Sequence, residues 1–251
     1  MVPAYDEAPN LGPLVAQIRE ALDAAGITWE LIVVDDGSTD DTSATLAALA
    51  AAESRLRPLR HAVRSGQTAA LVTGFGAARG ELIATLDADL QCRPTELPRL
   101  MAALGDADLA CGIRLGRRDP ASRRAASFVA NGLRRLLLAP GLRDLACPAR
   151  VFRPEALARV TADMPLFEGA HRWLPALFAL DGLRVVQIPV PHWPRHAGES
   201  KYTTRGRLLP IARESATVLG LVLRRSWRLR AALGAVLLAI AALPFFHRLG
   251  R

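Results

Sequence analysis

The sequence lacks the cysteine pattern of a zinc-binding or disulfide-rich domain. It has three cysteines in 251 residues, at Cys92, Cys111 and Cys147, and no two of them form a Cys-x-x-Cys pair. An odd and widely spaced set predicts neither a zinc site nor a disulfide framework, and a reducing compartment fits it best. We also expect no secretory signal peptide, because the sequence begins almost inside a motif, at residues 1–3.

Aromatic residues are scarce, and acidic residues are outnumbered by basic ones. Aromatics make up 5% of the chain, and no segment interleaves them with basic residues in the way that proteins stack nucleic-acid bases. The formal net charge is +8. Such a balance indicates an anionic partner. We therefore predict no nucleic-acid partner, and expect a phosphorylated substrate or an anionic membrane surface instead.

Internal repeats and low-complexity linkers are also missing, so a single large domain is expected over residues 1–203. Apolar runs typical of strands alternate with segments of helical periodicity. The predicted strands cover residues 2–5, 31–34, 82–86 and 107–111, and the predicted helices cover 11–25, 43–52, 66–79 and 97–104. This alternation predicts an α/β fold, a mostly parallel sheet in a three-layer arrangement.

The central predicted strand ends at two carboxylates, Asp87 and Asp89. In an extended chain, residues two apart point to the same side, so both side chains can converge on one object. Ligands bind beyond the carboxyl ends of parallel strands, and the carboxylates with the amide of Gln91 are hard ligands for Mg²⁺ or Mn²⁺. The alternative interpretation is a solvated turn after a strand.

The tail after Glu199 is basic, with Glu214 as its one acid. Residues 204–228 have the pattern of an amphipathic helix lying in a membrane interface. Residues 229–251 contain an uncharged apolar stretch, 231–246, that is at the short limit for spanning a bilayer. More basic residues precede the stretch than follow it, which favours the cytoplasmic side of the cell membrane for the domain of residues 1–203. A hairpin or an oligomerisation helix is the alternative, and homo-oligomerisation stays open.

Four motifs follow one another in an order that resembles a known family. They are Pro3-Ala4-Tyr5-Asp6-Glu7, Val33-Val34-Asp35-Asp36-Gly37-Ser38, Gly66-Gln67-Thr68-Ala69-Ala70-Leu71 and Asp87-Ala88-Asp89-Leu90-Gln91. The sequence resembles the inverting GT-A glycosyltransferases of family 2, in particular the polyprenyl-phosphate branch that includes dolichol-phosphate mannosyltransferase. The resemblance covers about residues 1 to 205 and continues through Gly112-Ile113-Arg114, Glu168-Gly169-Ala170-His171-Arg172 and Arg195-His196-Ala197-Gly198-Glu199-Ser200-Lys201-Tyr202.

The resemblance implies a nucleotide-sugar site beside a metal site. Asp87, Asp89 and Gln91 would hold Mg²⁺ or Mn²⁺ against the diphosphate, and Arg195 and Lys201 would close over the phosphates on a mobile loop. The residues implied for the nucleotide sugar are Pro3, Tyr5, Glu7, Val34, Asp35, Asp36, Ala88, His171, Arg172, Arg195 and Lys201. Either Asp35 or Asp36 could be the partner of the base, because spacing does not distinguish them. His171 could equally be a helix-start residue.

The acceptor implied by this branch is a lipid monophosphate. Its phosphate oxygen is already ionised near neutral pH, so no residue is required as general base, and positioning and charge would supply the catalysis. Arg114, Arg123, Arg124 and Ser127 are the implied phosphate ligands, and Arg114 is counted with Asp87 and Asp89 as catalytic. For Arg123 and Arg124 the alternative is a basic surface helix facing anionic lipid.

Two departures from the family pattern stand out. The first strand is short in comparison with relatives, which carry more apolar residues before the first motif. Pro148 stands where relatives have glycine after the cysteine of an Asp-x-x-Cys-Gly segment, and we expect it to stiffen that loop and move Asp144 away from the metal.

The sequence thus predicts a membrane-attached enzyme that transfers a hexose from GDP-mannose or UDP-glucose to undecaprenyl or dolichyl phosphate, with inversion. One alternative is a family 2 transferase with another lipid or a polysaccharide as acceptor. The Gln-x-x-Arg-Trp motif usual in polymerising relatives does not occur in this sequence, which counts against a polysaccharide. Another alternative is an inactive nucleotide-sugar-binding scaffold.

Overall fold

The computed structural model describes residues 1–115, 141–162 and 166–198, together with 214, 216–218, 220 and 221. The chain divides into two compact units, Met1–Lys201 and Tyr202–Arg251, and every element named below belongs to the first. In the described part of the chain, no helix is both long and apolar enough to cross a membrane. The predicted apolar stretch 231–246 lies outside the described residues, so the prediction for the tail stays a prediction.

Strands and helices alternate from residue 2 to residue 115 of the first unit. The strands are β1 Val2–Ala4, β2 Leu31–Asp35, β3 Leu56–Arg60, β4 Ile83–Thr85, β5 Leu109–Leu115, β6 Arg150–Phe152 and β7 Val185–Pro191. The helices are α1 Ala8–Ala24, α2 Thr42–Ala52, α3 Gln67–Ala77, α4 Leu97–Leu104, α5 Pro154–Ala162 and α6 Leu174–Leu180, with short 3₁₀ turns at Pro94–Glu96 and Ala170–Trp173. The four predicted strands and four predicted helices are present, with bounds shifted by up to four residues.

The strands form two sheets that meet side by side. β1, β2 and β3 are parallel, whereas β4, β6, β5 and β7 lie in that order with β6 antiparallel to both neighbours. Met1 joins them, because its nitrogen donates to the carbonyl of Ala84 at 2.8 Å and its carbonyl accepts from Leu86 at 3.3 Å. The predicted mostly parallel sheet is therefore confirmed, and the carboxyl ends of all strands but β6 meet at one edge.

β2 runs through the middle of the β1–β3 sheet and is buried at all five positions. Leu31 and Val33 pack into the cluster that contains the apolar stripe of α1, whereas Ile32 and Val34 pack with Ala70 of α3. Successive side chains of a strand point to opposite faces, so a strand covered by helices on both sides needs a continuous apolar run. This packing fixes the end of β2 firmly beside the ends of its neighbours.

Three strands were not predicted from the sequence. β6 has only three residues, too few for a recognisable pattern, and β3 contains Pro58. β7 is an edge strand whose Pro189 and Pro191 are exposed while Val190 between them is buried. Proline has no N–H to donate, so it is tolerated on an edge strand and discourages pairing with another chain.

Candidate active site

Asp87 and Asp89 lie in the loop directly after β4, and each carboxylate is held mainly by a side chain from elsewhere in the chain. Gln67 of α3 donates from Nε2 to Oδ1 of Asp87 at 2.9 Å. Asp89 accepts the amide of Gln91 on Oδ1 at 3.0 Å, and its Oδ2 pairs with Arg195 at 2.9 Å. Burial, and then the charge of Asp89, raise the pKa of Asp87 to about 6. The two carboxylates repel each other electrostatically, which favours a cation between them.

Arg195 connects the loops that follow two strands of the sheet, β1 and β4. Its Nη1 lies 3.0 Å from Oε1 of Glu7, in the loop after β1, and its Nη2 lies 2.9 Å from Oδ2 of Asp89. Glu7 also accepts from Nδ2 of Asn10. One guanidinium therefore pairs with two predicted site carboxylates that are 82 positions apart in the sequence numbering, and it brings them close together in the structure.

The backbone of the loop after β7, residues 192–198, is fixed to the same place. The amide of Trp193 donates to the carbonyl of Gln91 at 2.9 Å, and the amide of His196 donates to the carbonyl of Asp89 at 3.2 Å. Arg195 is thus anchored on both sides by hydrogen bonds to the loop that carries the paired carboxylates. Its position depends on backbone contacts as well as on its own ion pairs.

Asp36, directly after β2, is held by the loop before α3. Its Oδ1 accepts from the amide of Ser65 at 2.8 Å and contacts Nδ1 of His61 at 2.7 Å, and its Oδ2 accepts from the amide of Gly66 at 2.8 Å. His61 in turn contacts the hydroxyl of Thr73 at 2.9 Å. The carboxylate is buried and its contacts are with this loop, so its role in the structure is to hold the loop in place. Sequence reasoning assigned nothing to His61, because a single histidine 25 residues from its partner leaves no pattern.

Asp35, the last residue of β2, is used differently. Its Oδ1 accepts from the amide of Ser38 at 2.8 Å, which closes the turn after the strand. Its Oδ2 has no hydrogen-bond partner and lies 3.6 Å from Nε of Arg60. The sequence left the roles of Asp35 and Asp36 open. In the structure each carboxylate accepts hydrogen bonds from backbone amides. Asp35 closes a short turn, whereas Asp36 holds the longer loop.

The loop of residues 61–66 covers the end of β2 and reaches Tyr5. The guanidinium carbon of Arg64 lies 4.1 Å from the centre of the Tyr5 ring. Gly37 has φ of 72°, and a Cβ there would come within 2.7 Å of the backbone of Val63 and Arg64. Only glycine permits both this conformation and this close approach. Arg64, which no motif singled out, therefore lies on a predicted nucleotide-binding residue.

His171 lies in the 3₁₀ turn before α6, and it is buried. Its Nδ1 lies 2.8 Å from Oγ1 of Thr68, which also accepts from the amide of Gly169 at 2.9 Å. The Thr68 hydroxyl, which accepts this bond, can still donate its own proton to a neutral imidazole. Burial lowers the pKa of His171 well below its usual value, which agrees with a neutral ring. The pair fixes the start of α3, where Gln67 presents its amide to Asp87.

Arg114 and Asp144 form a bidentate pair. Nε of Arg114 lies 2.7 Å from Oδ2 of Asp144, Nη2 lies 2.9 Å from Oδ1, and the amide of Arg114 donates to Oδ2 at 3.2 Å. Burial alone would raise the pKa of Asp144, but the hydrogen bonds and charge of Arg114 lower it. Asp144 therefore bonds a cationic side chain, and the guanidinium fork of Arg114, a predicted phosphate ligand, is directed at this carboxylate.

Arg150 on β6 is a buried cation that sequence reasoning missed. It lies in register with Thr85 of β4 and Cys111 of β5, and it is 3% exposed. Its Nη2 donates to the carbonyl of Leu145 at 3.2 Å, and its Nε has no partner. Its charge partly offsets the effect of burial on the pKa of Asp87. An arginine in an unrecognisably short strand gave no signal in the sequence.

Other predicted residues contribute backbone or lie outside the described part of the chain. The side chains of Val34 and Ala88 are buried in packed clusters, and Pro3 pairs in register with Val34 inside the sheet. Arg172 follows His171 in the 3₁₀ turn and is partly exposed. The predicted residues that lie outside the described ranges are Arg123, Arg124, Ser127 and Lys201.

The carboxylates fit a divalent metal that shares its ligands with a substrate. Across the described ranges, no group of three or more His, Cys, Asp or Glu side chains converges on one point. Mg²⁺ is commonly held by one or two carboxylates together with waters and substrate phosphates. Asp87 and Asp89, which repel each other at one strand end, meet that requirement without a third protein carboxylate.

Known proteins resemble the chain in sequence. The model of the glycosyl transferase family 2 matches residues 1–161. Undecaprenyl-phosphate 4-deoxy-4-formamido-L-arabinose transferases from Salmonella paratyphi B and Salmonella newport are 31% identical to it over 205 residues, 81% of this chain. The aligned part spans 62% of the length of these relatives.

Solved structures resemble it in fold. Glucosyl-3-phosphoglycerate synthase from Mycobacterium tuberculosis in complex with phosphoglyceric acid matches with a TM-score of 0.65 at 23% identity, over 89% of this chain and 78% of that one. The same enzyme with Mn²⁺ and UDP-glucose matches with a TM-score of 0.63 at 23% identity, over 89% and 77%. The fold is the predicted α/β, GT-A-like one, and the chain belongs to glycosyl transferase family 2.

Proposed function

We propose that the chain is an inverting glycosyltransferase that moves a sugar from a nucleotide-diphosphate donor to polyprenyl phosphate. The observation that carries the proposal is the pairing of Asp87 and Asp89 at the end of β4 with exchangeable side-chain partners, Gln67 and Arg195. The family supports the reaction type. The relatives named for transfer to undecaprenyl phosphate support the acceptor.

The nucleotide would lie at the ends of β1 and β2. Tyr5 with Arg64 over its ring offers a stacked cation and aromatic face, and the backbone around Val34 and Asp36 would form the floor of the nucleotide site. Asp87 and Asp89, with Gln91 completing the set, would hold Mg²⁺ or Mn²⁺. When bound, the metal offsets negative charge on the departing nucleotide diphosphate. Arg195 would supply a second cation beside the oxygens of the diphosphate.

The acceptor phosphate needs orientation rather than deprotonation, because it is already ionised near pH 7. Arg114 is held by Asp144, whose carboxylate offsets its charge, so its contribution would be the hydrogen bonds that its remaining N–H groups can donate. Arg123, Arg124 and Ser127 remain the proposed direct ligands. Arg150 adds buried positive charge near Asp87, where an anionic acceptor would otherwise be repelled by carboxylates.

The sugar is the open part of the proposal. The sequence is compatible with GDP-mannose and with UDP-glucose. The relatives are named for 4-deoxy-4-formamido-L-arabinose, and a structural neighbour was solved with UDP-glucose. Membrane attachment through residues 204–251, with the catalytic domain on the cytoplasmic side of the cell membrane, belongs to the same proposal, because a polyprenyl phosphate resides in the bilayer.

The decisive experiment is sugar transfer in membranes that contain undecaprenyl phosphate. Labelled GDP-mannose, UDP-glucose, UDP-N-acetylglucosamine and nucleotide-linked 4-deoxy-4-formamido-L-arabinose would be supplied separately with Mn²⁺ or Mg²⁺. We expect one donor to label a mild-acid-labile lipid. Asp89→Ala should abolish the label, whereas Asp106→Ala should not, because the side chain of Asp106 is 98% exposed and lies outside the site.

The remaining outcomes separate the alternatives. Nucleotide binding that depends on metal, without transfer from any donor, would point to another acceptor lipid or polysaccharide. Neither binding nor transfer would overturn the enzyme proposal and favour an inactive scaffold.

A further inference from the structure

One exposed surface of the catalytic domain combines apolar and basic side chains at the carboxyl ends of β5 and β7. Leu115, the last residue of β5, is 54% exposed and pairs in register with the exposed Pro191 of β7. Trp193, two residues further, is 42% exposed. The guanidinium carbon of the exposed Arg93 lies 4.0 Å from the centre of the Trp193 ring. Together with Pro194, these residues form what we call the Trp193 patch.

Scattered exposed apolar residues on a soluble surface need no explanation. The Trp193 patch differs, because its apolar members follow one another along two paired strand ends and carry a cation at their border. Tryptophan prefers the boundary between lipid headgroups and hydrocarbon. A basic side chain beside it is attracted to anionic lipid.

A second arginine–tryptophan stack in the same domain provides a contrast. Arg55 lies 3.9 Å from the centre of the Trp29 ring, at the amino-terminal ends of β2 and β3. Its charge is neutralised by Asp23 and Glu53, and Trp29 packs against the core. Arg93, by comparison, has no ion pair with any described residue.

We propose that the Trp193 patch contacts an anionic lipid surface and sets the catalytic domain against the membrane. The proposal rests on the proposed function, since a lipid acceptor must reach the carboxyl edge of the sheet, where the patch lies. The net charge of +8 complements such a surface.

The contact would act directly on the active site. The amide of Trp193 donates to the carbonyl of Gln91 at 2.9 Å, and Arg195 two residues later pairs with Asp89 and Glu7. A membrane that holds the Trp193 side chain therefore also holds the segment that positions Arg195. The patch would align the lipid surface with the paired carboxylates.

Quenching of tryptophan fluorescence by brominated phospholipids tests the proposal in the full chain. The sequence has four tryptophans, so Trp227, in the tail, is first replaced by phenylalanine. The chain is then reconstituted in vesicles of brominated phosphatidylcholine with phosphatidylglycerol. In this background, we expect Trp193→Phe to reduce the quenched emission by roughly two-fold or more, because the ring of Trp193 would lie at the depth of the bromine atoms. Trp29→Phe, the matched control, should leave it unchanged.

Arg93→Gln provides a second measurement that does not remove the ring. It should lower quenching in anionic vesicles and leave quenching in pure phosphatidylcholine unchanged, whereas Arg55→Gln should change neither. Equal quenching with and without Trp193 would overturn the proposal. Failure of sugar transfer with Trp193 quenching intact would instead count against the proposed function, so the two can fail separately.

Discussion

Two pairs of aspartates lie at the same edge of the sheet and are held in opposite ways. At the end of β2, Asp35 and Asp36 accept hydrogen bonds from the backbone amides of Ser38, Ser65 and Gly66. At the end of β4, the carboxylates of the second pair are held by the side chains of Gln67 and Arg195, with a single amide, that of Gln91, on Asp89.

The difference separates carboxylates that build the site from those that can exchange partners. A backbone amide cannot leave its acceptor unless the loop moves, and a buried amide left unpaired costs about 1–3 kcal/mol. A glutamine or arginine side chain can rotate away when a ligand offers a better partner. The end of β2 is therefore expected to act through stability, and the end of β4 through activity.

The sharpest test of this division is Asp89→Asn. It should lower sugar transfer by about 10³-fold, because a neutral amide can neither bind a divalent metal well nor pair with Arg195. The melting temperature should change little. Transfer kinetics and thermal unfolding of the same preparation measure both quantities. A large loss of stability with transfer retained would reverse the roles of the two strand ends.

Arg195→Met should have the next largest effect on transfer, about 10²-fold in kcat/KM, because it removes the cation that we propose lies beside the diphosphate. The aliphatic stem is kept, so the loop packing is preserved. Arg184→Met is the matched control, since Arg184 is 62% exposed and pairs at 3.6 Å with a carboxylate outside the site. Equal losses in the two variants would show that charge at this position has no special role.

At the other strand end, Asp36→Ala should destabilise the fold by about 2 kcal/mol, because the amides of Ser65 and Gly66 lose their acceptor. Urea unfolding monitored by circular dichroism measures this change. Asp36→Asn keeps one acceptor oxygen and should cost less. If the two substitutions had no effect on stability but raised the KM for the donor, Asp36 would be a ligand of the nucleotide.

His171→Gln extends the comparison to a buried imidazole held by a hydroxyl. The folded pKa is lowered by burial, and the unfolded pKa is near 6.5. The unfolded chain therefore binds a proton that the folded chain refuses, so stability is lost as pH falls below about 6.5. The wild type should lose about 1 kcal/mol more than the variant between pH 7 and 5.5. Parallel slopes of unfolding free energy against pH would contradict this.

Much of the candidate site could be predicted from local patterns in the sequence. The spacing of Asp87 and Asp89 after an apolar run predicted that both would lie at a strand end, and the alternation of elements predicted which edge of the sheet would carry them. Glu7 and Arg195 were expected in the same site by resemblance to the family, and their ion pair at 3.0 Å places them together.

Other features of the site could not be predicted, because the residues that pair with each other are distant in the sequence. Arg114 was expected to bind acceptor phosphate, yet its fork is directed at Asp144, 30 residues away. His61 and Arg64 had no motif, although they hold Asp36 and cover Tyr5. None of these pairings produces a periodic signal that a reader of one sequence could recognise.

The sequence alone determined four of the strands and four of the helices, their mostly parallel arrangement and the edge at which the acidic motifs meet, because strand and helix periodicities are local properties. Only the tertiary structure decided which carboxylates are held by backbone and which by exchangeable side chains. That choice depends on loops such as residues 61–66 and 192–198, whose hydrogen bonds reach across the sheet to strand ends far away in the chain.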